Sequence, residues 1–137
     1  MNRRELVAAV LGFVSAPFLT SSRTAPAGDK ASNLSLIRLI ANPSSFDGRR
    51  LRLAGYVDHN GLDRAVGLYV SELDGRNAIF SNSIDLHLDE VTAKKFVRRY
   101  VILEATFHAP TGHGSEYLNG FLDHISDIKV WGFGDPA

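Results

Sequence analysis

The most informative absence in this sequence is cysteine, of which its 137 residues contain none. Without cysteine the chain can form no disulfide, no thiolate metal site, no thiol nucleophile and no lipoprotein anchor.

Charge of one dominant sign is also lacking, because fifteen Lys and Arg residues balance fifteen Asp and Glu residues. A neutral chain has no general attraction for nucleic acid or for an anionic membrane, so the composition disfavours both partners. The domain must therefore fold on packing alone.

A long hydrophobic run is missing as well. The apolar stretch of residues 6–19 is too short to span a bilayer, since a membrane helix needs roughly 20 residues. Arg3 and Arg4 precede this stretch and the small residues Ala25 and Ala27 follow it, an order typical of a cleavable signal peptide. The alternatives are an uncleaved anchor and an N-terminal core helix.

The paired arginines also fit a twin-arginine signal, with the general secretory route as the other possibility. The sequence thus predicts a periplasmic or secreted protein that has no membrane span after cleavage. The predicted segments are a signal peptide (1–27), a short linker (28–33), one folded domain (34–132) and a C-terminal tail (133–137).

Alternation of apolar and polar residues predicts a mainly β domain. The predicted strands are Arg50–Asp58, Val66–Val70, Ile84–Leu88, Tyr100–His108 and Tyr117–Trp131. Helical spacing predicts a short helix over Leu34–Ala41 and another over Asp89–Val97, between the third and fourth strands. This order is that of the OB-fold, a five-stranded Greek-key barrel, and a small open sheet or sandwich is the alternative. A slip in the alternation between Asp123 and Asp127 predicts a β-bulge in the last strand.

One stretch resembles a known group. The run Leu39-Ile40-Ala41-Asn42-Pro43 is followed by Asp47-Gly48 and then by Gly55-Tyr56. It is similar to the "LIANP…DG…GY" opening of a group of small exported bacterial OB-fold proteins. The resemblance extends to about Trp131. It rests mostly on turn and core residues, so it implies the barrel fold and carries no catalytic role.

The ligand face of an OB-fold is commonly the outer surface of its second and third strands with the two flanking loops. Alternation places arginine and tyrosine side chains together on an outward face of this sheet, where they could stack on a base or a sugar ring. The alternatives are an ordinary solvated sheet face and a protein-binding surface. The candidate ligand-binding residues are Arg50, Arg52, Tyr56, Tyr69, Asp85 and His87.

Histidines are concentrated in the two loops that flank this face. Imidazole and carboxylate groups could hold zinc or copper, or act as general acid and base near neutral pH. Their spacing matches no metal motif, and loops are polar for other reasons, so no cofactor is expected unless the loops converge. The candidate metal ligands are His59, His108, His113 and Glu116.

The densest positive cluster comprises Lys94, Lys95, Arg98 and Arg99, at the end of the second predicted helix. Basic residues are favoured there by the helix dipole, so a solvated helix end is the first interpretation and a contact for an acidic partner is the second.

Motifs of enzymes are absent from the sequence: it has no Gly-rich phosphate loop, no Gly-x-Ser-x-Gly elbow and no His-Glu-x-x-His. The main hypothesis is an exported, non-catalytic OB-fold binding module that recognises an envelope protein, an oligosaccharide or a small ligand. The alternatives are a metal-dependent or histidine-based activity at the rim loops and, third, binding of single-stranded nucleic acid.

Overall fold

The computed structural model describes residues 30–61, 65–112 and 117–132. The predicted signal peptide and C-terminal tail lie outside these residues. Within the described ranges, no helix has both the length and the apolar character needed to cross a membrane. In chain order the elements are β1 (Ser32–Asn33), α1 (Leu36–Ala41), β2 (Arg50–His59), β3 (Val66–Tyr69), α2 (Glu72–Arg76), β4 (Ser83–Leu86), α3 (Glu90–Phe96), β5 (Arg99–His108) and β6 (Phe121–Val130), with 3-10 turns at Pro43–Phe46 and Phe80–Asn82.

Five of these strands close into a barrel. β2 pairs antiparallel with β3, and β3 with β4. β4 then pairs parallel with β6, β6 pairs antiparallel with β5, and β5 closes the ring by pairing antiparallel with β2. With α3 between the third and fourth barrel strands, this confirms the predicted OB-fold-like Greek-key barrel. β1 adds a short parallel pairing to β2, and α1 is the predicted N-terminal helix.

Alternation along the strands gives the barrel its core. On β5 the inward side chains are Val101, Leu103, Ala105 and Phe107, each at most 1% exposed. Leucines and valines of β2 and β3 meet them inside, and α1 and α3 pack against the same cluster through apolar residues. Because each square ångström of apolar surface removed from water contributes roughly 25 cal/mol, this cluster is the main source of stability in a chain without disulfides.

The predicted bulge in the last strand is confirmed. Opposite β5, the register of β6 shifts twice, and His124 and Asp127 both have φ near +49°. Each shift puts an extra residue on β6, which twists that strand more strongly. Asp123 and Ser126 remain in register with Thr106 and Glu104 on β5.

Candidate functional site

A row of three tyrosines crosses the outward face of the barrel wall. Tyr56 on β2 lies opposite Tyr69 on β3 and opposite Tyr100 on β5. The Tyr56 and Tyr100 rings meet edge to face, with their centroids 5.1 Å apart. Tyr56 is only 3% exposed and Tyr69 is completely buried. We call Tyr56, Tyr69 and Tyr100 the tyrosine row.

The expectation that Tyr56 and Tyr69 form an exposed stacking platform is therefore wrong. Alternation does put both rings on the outward side of the sheet. However, α2 packs over the Tyr56 ring, and the Tyr69 hydroxyl donates a hydrogen bond to the His59 carbonyl at 2.9 Å. The sequence predicted no helix between the second and third strands, so α2 was missed. The available signal was Ser71 followed three residues later by an acidic side chain, a helix-capping pattern. In the structure the Ser71 hydroxyl accepts the Asp74 N–H at 3.2 Å.

Two contacts hold α2 against the barrel. The hydroxyl of Tyr100 accepts the N–H of Glu72 at 2.8 Å, which satisfies one donor at the start of the helix. At Gly75 the helix backbone approaches Tyr56 so closely that a Cβ would lie 2.8 Å from its Cδ1 atom. Glycine at this position therefore allows the helix to lie on the tyrosine row.

A cleft of about 840 Å³ opens where α2 meets the end of β2 and the turn before β5. Pockets that hold small molecules commonly measure roughly 300–1,000 Å³. We call it the α2 cleft. The side chains that give it chemical character are those of Asp58, His59, Glu72, Arg76, Phe80 and Arg98.

Burial and nearby carboxylates raise the pKa of two hydroxyls in the tyrosine row. Burial raises the pKa of Tyr56, the carboxylates of Glu72 and Asp58 raise it further, and the hydrogen-bonded Arg76 guanidinium opposes them. Burial, with the charges of Asp58 and Asp85, raises the pKa of Tyr69 to about 12. Both hydroxyls are therefore neutral near pH 7.

Arg98 is a cleft residue that sequence reasoning placed only in a positive cluster. Its N–H donates to the Val57 carbonyl at 2.6 Å, and its φ is +65°. Lys94 of the same cluster pairs instead with Glu90 on α3, at 3.5 Å. Within the described ranges, the Arg98 guanidinium has neither an ion pair nor a hydrogen bond. The structure therefore divides the cluster, and Arg98 lines the α2 cleft.

The other predicted face residues lie elsewhere on the barrel. On the wall formed with β5 and β6, the Arg50 guanidinium donates to the His124 carbonyl and the Ser126 hydroxyl. Arg52 pairs with Glu104 at 3.7 Å, and the Asn60 side chain donates to Asp85. Of the six predicted residues, Tyr56 and Tyr69 are neighbours in the buried tyrosine row, whereas Arg50, Arg52 and Asp85 each bind a partner side chain elsewhere.

His87 belongs to an aromatic stack on the outer surface of β6. The rings of His87 and His108 lie nearly parallel to that of Phe121, at centroid distances of 4.3 and 4.6 Å. Since a parallel ring occupies one face of its neighbour, the two imidazoles take opposite faces of Phe121. Tyr117 meets His87 edge to face at 5.3 Å. We call His87, Phe121 and His108 the imidazole stack.

The Asp123 carboxylate contacts one histidine of the imidazole stack and one histidine of the β6 bulge. Asp123 Oδ1 lies 2.7 Å from His108 Nε2 and 3.0 Å from His124 Nδ1. Partial burial alone would raise the pKa of Asp123, but the hydrogen bonds with His124 and His108 outweigh it and hold that pKa below its ordinary value.

The structure does not bring the described metal candidates together. His59 lies at the end of β2, beside α3 in a second cleft of about 400 Å³, whereas His108 lies in the imidazole stack. His113 and Glu116 are outside the described residues. Among the residues that the structure does describe, no group of three or more His, Cys, Asp or Glu side chains could hold a metal ion. The four-residue metal site stays a prediction.

No protein-family model matches the sequence, and neither does any curated protein. Among solved structures, the chain is similar to OBody AM2EP06 bound to hen egg-white lysozyme, with 18% identity, 73% of this chain and 94% of that chain covered, and a TM-score of 0.42. It is also similar to a chain described as an aspartyl-tRNA synthetase from Leishmania major Friedlin, with 9% identity, 93% of this chain and 26% of that chain covered, and a TM-score of 0.41. The fold assignment rests on the strand pairing described above.

Proposed function

We propose that this protein is an exported, non-catalytic binding module that takes a small ligand, or a short segment of an envelope partner, into the α2 cleft. The observation that carries the proposal is a cleft of ligand size whose wall includes a guanidinium unpaired by any described residue. Binding rather than catalysis is proposed because the sequence has no Gly-rich phosphate loop, no Gly-x-Ser-x-Gly elbow and no His-Glu-x-x-His.

A ligand screen read by NMR tests the binding proposal. Small oligosaccharides, amino acids, short peptides and common metabolites are added to the isotope-labelled protein, and the backbone amide signals are followed. We expect at least one class to shift the signals of Gly61, Gly75 and Ala78, which line the α2 cleft. The proposal fails if every ligand that binds shifts signals only elsewhere, or if none binds to the folded protein.

Export is a separate part of the proposal and has its own test. The segment 1–27 is fused to a reporter enzyme that is active only outside the cytoplasm of a bacterial host. We expect reporter activity, and its loss on replacing Arg3 and Arg4 together by lysine identifies the twin-arginine route. Activity that survives this replacement identifies the general secretory route. An inactive fusion would contradict export.

A further inference from the structure

The charged side chains of the α2 cleft differ in whether they have an ion-pair or hydrogen-bond partner. Arg76 is bound by Glu72 at 2.9 Å and hydrogen-bonded to the Tyr56 hydroxyl. The Asp58 carboxylate accepts the His59 N–H at 2.8 Å. Arg98 has no such partner in the part of the chain that the structure describes. The cleft therefore offers a cation that a ligand anion can satisfy without displacing an existing ion pair.

The backbone at Arg98 is costly and well fixed. A φ of +65° lies in the left-handed region, which a residue with a Cβ adopts less readily than glycine does. Two neighbouring backbone hydrogen bonds hold the chain there. The Arg98 N–H donates to the Val57 carbonyl on β2, and the Val97 N–H donates to the Ala93 carbonyl at the end of α3. The fixed backbone therefore holds Arg98 at the wall of the α2 cleft.

The other residues that line the α2 cleft limit the charge and the shape of an anion that could bind Arg98. A guanidinium binds a carboxylate through two parallel hydrogen bonds. Asp58 and Glu72 line the same cleft, so a ligand of high negative charge would be repelled, whereas an ammonium or hydroxyl group could donate to Asp58. The Phe80 ring, 42% exposed, offers apolar surface for the body of the ligand.

We infer that the α2 cleft binds small carboxylates that also carry an ammonium or hydroxyl group, with Arg98 holding the carboxylate. A free amino acid and the last residue of a short peptide share this chemistry. The inference rests on the proposed function and narrows it from ligands in general to one chemical class.

The first experiment compares acids with their amides. L-phenylalanine, L-leucine and the dipeptide glycyl-phenylalanine are titrated into the labelled protein beside their C-terminal amides. Because a hydrogen bond to a charged group contributes about 1.5–3 kcal/mol, each amide should bind at least about tenfold more weakly than its acid. Tighter binding of the free amino acids or of the dipeptide tells which source the site prefers. Inorganic phosphate is the polyanion control, and tighter binding of phosphate than of any carboxylate would overturn the inference.

The second experiment removes the guanidinium without harming the fold. Arg98→Gly suits the positive φ, so its unfolding temperature should not fall, while its affinity for the carboxylate probes should drop at least about tenfold. Arg98→Lys keeps the charge but not the paired hydrogen bonds, and should retain part of the affinity. Arg99→Ala removes the adjacent exposed arginine and should leave binding unchanged.

The outcomes separate this inference from the proposed function. If Arg98→Gly or amidation leaves affinity unchanged while Phe80→Ala weakens binding, the α2 cleft binds ligands but the carboxylate class is wrong. If no probe and no compound of the wider screen shifts a cleft signal, both proposals are wrong.

Discussion

Two walls of the barrel have the same alternating sequence pattern and very different outer surfaces. On the wall formed by β2 and β3, the outward residues Tyr56 and Tyr69 are buried, Tyr56 under α2. On the wall formed by β5 and β6, polar groups bind one another across the strands: Asp123 on β6 contacts His108 on β5, and Arg50, at the start of neighbouring β2, donates to Ser126. We call the β2–β3 wall, over which α2 packs, the covered wall, and the β5–β6 wall the polar wall.

The difference favours one side of the barrel for the proposed binding. A helix of five residues covers only part of a curved wall, and the uncovered part beside it becomes the α2 cleft. On the second wall, hydrogen bonds and ring stacking use the polar groups that a ligand would need. The proposed binding therefore lies at the edge of the covered wall, and the following variants test how the two walls differ in stability.

The largest expected effect comes from Tyr69→Ala on the covered wall. Truncating a fully buried aromatic ring commonly costs about 3–5 kcal/mol, so the free energy of unfolding should fall by about 3 kcal/mol or more. Tyr69→Phe keeps the ring and loses only the hydrogen bond to His59, at a cost of about 1 kcal/mol. Chemical denaturation measures both. An alanine variant as stable as the phenylalanine variant would mean that the ring is not buried by the wall.

The buried tyrosines also show how far the sequence can be interpreted. Alternation predicted the strands and the bulge near Asp123, and helical spacing predicted the helix between the third and fourth strands, because each is set by residues close together in the chain. It also placed Tyr56 and Tyr69 outside the barrel core. Whether an outward residue meets water depends on what packs over it, and α2 reaches Tyr56 from a segment sixteen or more residues away.

The candidate site was less predictable than the fold for a related reason. Its charged residues come from β2, α2 and the turn before β5, which are brought together only by barrel closure. Arg98 looked like part of a helix-end cluster because charge patterns carry no information about a positive φ. The strand that carries Asp58 was predicted to end at that residue, and β2 continues one residue further, to His59.

Arg50→Ala tests the polar wall and should have the next largest effect. Arg50 donates to a backbone carbonyl and two hydroxyls on β5 and β6, so its loss should cost about 1.5 kcal/mol. The matched control is Arg52→Ala on the same strand, whose ion pair with Glu104 is long and partly exposed, and which should cost at most about 0.5 kcal/mol. Equal losses in the two variants would show that the Arg50 hydrogen bonds do not tie the wall together.

Gly75→Ala tests the contact between α2 and the covered wall. Alanine favours a helix over glycine by about 0.5–1 kcal/mol, but its Cβ would lie 2.8 Å from the Tyr56 ring, and such overpacking costs about 1–3 kcal/mol. We expect a net loss of about 1 kcal/mol. In a Tyr56→Leu background the clash is relieved, so the same substitution should become neutral or stabilising. A double-mutant cycle measures this change, and simple additivity would contradict the close contact.

The smallest expected effect is a change in the pH dependence of stability on the polar wall. The hydrogen bonds with His124 and His108 keep the pKa of Asp123 below its value in the unfolded chain, which is near 3.9. A carboxyl whose pKa is lower in the folded than in the unfolded chain stabilises the fold at any pH above its unfolded-state pKa. This contribution is lost as the pH falls through the folded-state pKa. Asp123→Asn should therefore be less stable than the natural protein at pH 6, by at most about 1 kcal/mol for so exposed a pair, and the difference should shrink towards pH 3. His108→Ala removes one partner and should show part of the same change. Denaturant unfolding from pH 3 to 6 measures the free energy of unfolding of both proteins. If the difference between them stays the same at every pH, the histidines do not stabilise the ionised Asp123 carboxylate.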